Sequence, residues 1–214
     1  MTVDDPGLWC EIGAASFVER AALFLDRDGV VVTDTHYLCR VEEVRMIAGA
    51  AAAIARCNAL AVPVVLVTNQ AGIGRGYYGW DAFHAVQGVI SSALSAAGGH
   101  FDAVLACAYH REGRERLRVA NHPWRKPNPG MILEAASRMK LDLSRSWIIG
   151  DKAHDLAAGK AAQLAGGTLV GAADEEQQLV SPLADMSFVV NTTMNLSDAV
   201  DALIVDGRAF GRAR

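Results

Sequence analysis

The 214-residue sequence has little that would mark a secreted, membrane-bound or nucleic-acid-binding protein. Its four cysteines, Cys10, Cys39, Cys57 and Cys107, show no paired spacing, which argues against a disulfide framework and for a reducing compartment. No apolar run reaches the ~20 residues needed to cross a bilayer. The start carries Asp4, Asp5 and Glu11 where a signal peptide would need a basic stretch and an apolar one. The net charge is -4, without a basic run, so neither nucleic acid nor an anionic membrane is expected as a partner. There is no internal repeat and no low-complexity linker. These absences lead to the expectation of a cytoplasmic, monomeric protein. With 51% hydrophobic and 21% charged residues, the chain can build a substantial core. It is read as one domain over 17–214 behind a loosely ordered lead-in over 1–16, with Pro6-Gly7 as a breaker and Trp9 docking on the body.

What is present is an alternation of apolar runs and helical stretches. Ala21–Leu25 is apolar and ends abruptly in Asp26-Arg27-Asp28-Gly29, the pattern of a buried parallel strand. Val62–Val67 repeats it and ends in Thr68-Asn69-Gln70. Phe101–Ala108 and Trp147–Ile149 follow, the latter running into Gly150-Asp151-Lys152, and Thr168–Val170 and Phe188–Val190 supply two shorter strands. Helices are predicted over Gly49–Ala61, Trp80–Ala97, Pro129–Met139, Asp155–Ala165 and from Asn195 or Ser197 to Val205. Val30–Arg45 reads as a flap over the site. Strands alternating with helices predict an α/β fold built on a doubly wound parallel sheet.

In such a sheet the carboxyl ends of the strands share one edge, so residues far apart in sequence converge there. Asp26 and Asp28 point the same way along an extended segment, and two like charges that close need a cation or a shared proton. Asp151 adds a third carboxylate, an oxygen-rich set suited to Mg²⁺. Thr68 contributes a hydroxyl, and the loop Trp124-Arg125-Lys126-Pro127-Asn128-Pro129-Gly130 contributes two cations. Carboxylates, Mg²⁺, Lys and Thr together describe a phosphoryl-transfer site.

Asp26-Arg27-Asp28-Gly29, Thr68-Asn69-Gln70, Lys126 and Gly150-Asp151-x-x-x-Asp155 resemble, in order, the four motifs of the haloacid dehalogenase superfamily of phosphatases. The resemblance covers roughly Leu23–Val170. The stretches Thr68-Asn69-Gln70-Ala71-Gly72-Ile73-Gly74-Arg75-Gly76 and Arg125-Lys126-Pro127-Asn128-Pro129-Gly130-Met131 are most similar to its heptose-bisphosphate and histidinol-phosphate phosphatases. The resemblance implies a Rossmann-like fold, with spacings too short for a large cap domain. It also implies a mechanism: Asp26 as nucleophile forming an aspartyl-phosphate, Asp28 as general acid and base, and Thr68 and Lys126 holding phosphoryl oxygens. Mg²⁺ would sit on Asp26, Asp151 and the Asp28 carbonyl, with Asp155 orienting its surroundings. Asp34, Tyr37, Asn69, Gln70, Arg75, Arg125 and Lys152 would meet the sugar phosphate. The implied substrate is D-glycero-D-manno-heptose 1,7-bisphosphate, ahead of histidinol phosphate or another small polyol phosphate.

Members of that subfamily usually carry a structural zinc on Cys-x-His and Cys-x-Cys. Here Cys107 remains, but Tyr109 replaces the histidine, and His122 and Trp124 stand where the two cysteines would be. A zinc-free loop is therefore expected, with Cys107, His110 and His122 as the ligands a rearranged site could use. Gly74-Arg75-Gly76-Tyr77-Tyr78-Gly79 matches the dinucleotide fingerprint only in spacing, since the glycines do not follow directly on the strand and tyrosines fill the turn. Two readings of another class compete: a phospho-acceptor signalling domain and a sugar-phosphate binding protein without turnover. Receivers are shorter and carry the acceptor on a middle strand, whereas Asp26 lies on the first one predicted.

Overall fold

The computed structural model describes residues 5–13, 17–171 and 173–206. The strands are β1 (Leu8–Ile12), β2 (Leu23–Leu25), β3 (Val64–Asn69), β4 (Ala103–Cys107), β5 (Trp147–Gly150), β6 (Gly166–Val170) and β7 (Val189–Thr193). The helices are α1 (Ala50–Ala59), α2 (Ala71–Gly74), α3 (Trp80–Ala96), α4 (Gly130–Met139), α5 (Ala153–Ala161), α6 (Asp174–Val180) and α7 (Leu196–Asp206). The strands form one sheet in the order β1-β4-β3-β2-β5-β6-β7, parallel from β4 to β7.

The apolar runs of β2 to β6 are buried on both faces, as parallel strands covered by helices must be. Alternation divides their side chains between two cores. Leu23, Leu25, Val64, Leu66 and Ile149 pack with α1, α3 and α7, while Phe24, Val65, Val67 and Ile148 pack with α4 and α5. The chain runs outward from β2 through β3 to β4, then returns to β5 on the other side of β2 and continues to β7. The reversal puts a crevice beyond the carboxyl ends of β2 and β5, where open α/β sheets bind their ligands.

Two expectations are corrected. Part of the lead-in, Leu8–Ile12, is a strand: β1 pairs antiparallel with β4, Leu8 opposite Cys107 and Ile12 opposite Ala103. Its side chains alternate, Cys10 joining one core while Trp9 packs on Trp80, Phe83 and His84 at ring-centroid distances of 5.8, 5.7 and 5.6 Å. Residues 1–4 and 14–16 of that lead-in lie outside the described residues. The predicted flap is also shorter than Val30–Arg45. Val30, Val31 and Val32 are fully buried, and the backbone of Val31 and Val32 donates to the Arg27 carbonyl. The exposed part begins at Thr33.

One polar side chain, at the base of a cleft it lines with His84 and Ser91, has no protein partner. Gln87, on the buried face of α3, is 7% exposed, and neither its amide nitrogen nor its oxygen has a hydrogen-bond partner. An unmet buried donor or acceptor costs about 1–3 kcal/mol. Gln87→Met is expected to stabilise the protein by about 1 kcal/mol or more, seen as a rise in Tm of about 2–4 °C. A Tm that stays the same or falls would contradict the assignment of an uncompensated amide.

Candidate active site

The tip of β2 is shaped by its own backbone. Asp26 donates its N–H to the Ile149 carbonyl of β5, and Gly29 donates to the Val32 carbonyl with φ at +80°. A Cβ at Gly29 would lie 2.5 Å from Asp151 Oδ2. Only glycine therefore permits both the left-handed turn and the close approach of β2 and β5. Asp26 is 8% exposed and Asp155, at the start of α5, is fully buried.

Lys126 lies between them. Its Nζ donates to Asp26 Oδ1 and to the Val67 carbonyl, each at 2.7 Å, and lies 2.7 Å from Asp155 Oδ1. The same Asp155 oxygen lies 3.3 Å from His154 Nε2, so Lys126 is its nearer charged neighbour. Burial opposes the charge on Lys126, but Asp155 and Asp26 outweigh it and hold the ammonium above its ordinary pKa. Asp155 is likewise held low against burial, chiefly by Lys126.

The rest of the cluster is short of positive charge. Oxygens of Asp26, Asp151 and Asp155 lie within 4.8 Å of one another, the only such group of three potential metal ligands among the described residues. Burial pushes the Asp26 carboxyl up to about 7, with Asp155 and Asp28 adding to the rise and Lys126 opposing it. Asp151 is pushed up to about 6 by burial and by Asp155. A crowded, desolvated set of three carboxylates fits a hard divalent cation.

Around this centre the sequence-predicted residues fall into two groups. Asp28 and Thr68 join the centre. The Asp28 carboxylate accepts from Arg27 Nε and Nη2 at 3.0–3.2 Å, and Thr68 Oγ1, 1% exposed, accepts from Gln70 Nε2 at 3.0 Å. Asn69 and Gln70, expected to meet substrate, are bonded to neighbouring protein groups. Both amide atoms of Asn69 are bonded to the Lys126 main chain at 3.1 Å, and Gln70 is 2% exposed with its oxygen accepting from Tyr78 Oη at 2.7 Å. Lys152 Nζ lies 3.1 Å from Asp151 Oδ2.

Farther out, Arg75 donates to Tyr37 Oη at 2.6 Å and to Glu112 Oε2 at 2.7 Å. The guanidinium thus ties the flap to the loop after β4. Arg125 donates to the Tyr109 carbonyl at 3.1 Å and has no carboxylate within ion-pair distance among the described residues. His110 lies near both arginines; burial and their charges hold it below its ordinary pKa. Asp34 is exposed and accepts the His36 N–H at 2.7 Å, as in an Asx turn. The possible zinc ligands do not converge as a set of three: Cys107 Sγ is 3.9 Å from His122 Nδ1, while His110 Nδ1 accepts the Glu112 N–H.

Sequence reasoning missed Arg27, whose buried guanidinium is 5.4 Å from the Phe83 ring centroid while it grips Asp28. Its position between two motif aspartates was the available signal. Glu112 was missed too and left no signal, because its partner Arg75 lies on a different loop.

Fold and site together define a phosphoryl-transfer enzyme on a doubly wound sheet. A family model described as HAD-hydrolase-like matches residues 123–192. A D-glycero-beta-D-manno-heptose-1,7-bisphosphate 7-phosphatase of Mesorhizobium japonicum is 49% identical over 187 residues, 86% of each chain. The crystal structure of a HAD-like protein from Mesorhizobium loti superposes with a TM-score of 0.87 at 42% identity, covering 99% of this chain and 98% of the other. D,D-heptose 1,7-bisphosphate phosphatase from B. bronchiseptica, solved with magnesium and phosphate, gives a TM-score of 0.74 at 29% identity, covering 87% and 99%. The chain belongs to the HAD-like hydrolases and, within them, to the family of the heptose-1,7-bisphosphate 7-phosphatases.

A cation on this cluster competes with protons, because carboxyls raised to about 7 and about 6 must ionise to hold it. Calorimetric titration of Mg²⁺ near pH 6, in buffers of different ionisation enthalpy, is expected to show proton release that fades above about pH 8. Affinity should rise over the same range. Binding with no proton release at pH 6 would contradict the assignment.

Proposed function

We propose that the protein is a Mg²⁺-dependent phosphomonoesterase that removes one phosphate from D-glycero-D-manno-heptose 1,7-bisphosphate through an aspartyl-phosphate. The observation that carries the reading is Lys126 set between Asp26 and Asp155 beside Asp151. Membership in a family whose named relatives act on that bisphosphate supports the substrate.

An Asp26 carboxylate oxygen attacks phosphorus as the bond to the sugar oxygen breaks, and Asp28 gives its proton to that leaving oxygen. Water then attacks the same phosphorus while Asp28 takes its proton, releasing phosphate and restoring Asp26. The Arg27 fork orients Asp28, and the Gln70 amide fixes Thr68. Lys126 and the Thr68 hydroxyl stabilise the oxygens that carry charge in both steps. Asp26, Asp151 and the Asp28 carbonyl would hold Mg²⁺, with Asp155 beside them. When bound, it would screen the repulsion between an anionic nucleophile and an anionic phosphoryl group.

Selectivity rests on the loops, and Arg125 is the guanidinium best placed for the second phosphate, because Arg75 is already paired with Glu112. Asp26→Asn should abolish phosphate release while leaving the circular dichroism spectrum intact, and chelation should stop turnover until Mg²⁺ is restored. Substantial turnover by Asp26→Asn would remove Asp26 from the nucleophile's role. Among heptose 1,7-bisphosphate, histidinol phosphate and hexose phosphates, the bisphosphate should have the highest kcat/KM, and Arg125→Ala should lower that value by about 10-fold or more. A bisphosphate without advantage would overturn the substrate assignment.

A further inference from the structure

We propose that Asp5–Gly7, just ahead of β1, is a clasp on the substrate side of the site, and that Tyr109 is a positioning residue through which it aims Arg125. The inference rests on the reading of Arg125 as the group that meets the second phosphate.

β1 runs antiparallel to its neighbour, so its first residue is level with the last residue of β4. The residues before it, Asp5 to Gly7, therefore lie at the same end of the sheet as the active site. There they are bound to two elements, α3 and the segment after β4. The Gly7 carbonyl accepts the Ala108 N–H at 2.8 Å, and the Pro6 carbonyl accepts Trp80 Nε1 of α3 at 2.9 Å. Asp5 Oδ1 accepts the Tyr109 hydroxyl at 2.9 Å and the Gly7 N–H at 2.8 Å. The fit is close: a Cβ on Gly7 would stand 2.5 Å from Tyr109 Cε2 and 2.9 Å from Leu117 Cδ2.

Tyr109, 8% exposed, transmits this restraint in two ways. Its carbonyl accepts Arg125 Nη1 directly. Its ring stacks on His122, with centroids 4.0 Å apart and planes 13° from parallel. His122 in turn opens the turn that carries the two cations. Its carbonyl accepts the Arg125 N–H and Asn128 Nδ2, each at 2.9 Å, and its Nδ1 accepts the Trp124 N–H at 3.2 Å. Tyr109 thus holds Arg125 at its guanidinium and at its backbone.

Lys126, one residue on, is fixed separately. Asn69 of β3 bonds both its N–H and its carbonyl, and Asp26 and Asp155 hold its ammonium. Loosening the clasp should therefore disturb Arg125 and spare Lys126. That separation gives the role a kinetic mark that a general loss of structure would not have: KM for a substrate with two phosphates rises, while kcat, and KM for a substrate with one, stay put.

The test compares heptose 1,7-bisphosphate with p-nitrophenyl phosphate, and adds amide hydrogen exchange without substrate. Asp5→Ala and Tyr109→Phe remove the hydroxyl–carboxylate bond, His122→Ala removes the stack, and His122→Phe keeps an aromatic ring there. In the first three, KM for the bisphosphate should rise about 3- to 10-fold, the loss expected for one hydrogen bond or contact. Both parameters for p-nitrophenyl phosphate should stay within about 2-fold. Exchange at Trp124 and Arg125 should quicken while that at Lys126 does not, and His122→Phe should restore the wild-type pattern. Unchanged bisphosphate KM in all three variants overturns the clasp, as does a parallel fall in kcat for both substrates. Arg125→Ala separates the two levels. If its bisphosphate KM equals wild type, the distal-phosphate reading fails; if it rises while Tyr109→Phe and His122→Ala behave as wild type, only the clasp fails.

Discussion

Lys126 is almost wholly buried, and its ammonium meets carboxylates from β2 and α5 and a carbonyl from β3. A lone charge at such depth would be prohibitive, and removing one partner of a buried ion pair leaves the other uncompensated, at a cost of about 3–5 kcal/mol. This one contact therefore demands that β2, β3, the start of α5 and the loop before α4 take up their native positions together. Asn69, which bonds the Lys126 backbone on both sides, serves the same end from β3. The residues that would react with phosphate are thus the ones that fix the geometry of the sheet's edge.

The same contact leaves the centre incompletely neutralised. Lys126 is shared by two carboxylates, Arg27 is engaged by Asp28, and Lys152 reaches Asp151 only from the exposed side. Burial and the neighbouring carboxylates hold the Asp26 and Asp151 carboxyls up at about 7 and about 6, the charge balance on which the proposed Mg²⁺ dependence rests.

The centre was legible in the sequence because it obeys a simple rule: apolar runs that stop at polar residues place those residues on one edge of a parallel sheet. Asp26, Asp28, Thr68, Asp151 and Asp155 all follow from it. The rule is silent on where a polar side chain at a strand end turns, and so it gives no sign that Asn69 bonds the Lys126 main chain or that the Gln70 oxygen accepts from Tyr78. Strand β1 was missed for a different reason. Its five residues alternate as an edge strand should, but its partner β4 is far along the chain, and pairing at that distance leaves no local mark. The short helices α2 and α6, with four and seven residues, lack the length over which helical periodicity can be seen.

The placement of β1 also bears on the order in which the molecule can be assembled. Leu8 pairs with Cys107, nearly half the chain away, so β1 has no partner in this sheet until β4 has been made. Closing so large a loop is slow, and an unpaired strand is a place where another chain can attach. Once seated, the strand covers the outer side of β4 and puts Glu11 on the new edge, a charge of the kind that discourages sheet-to-sheet association. The segment is made early, docks late, and leaves the finished sheet with a border less able to recruit a second molecule.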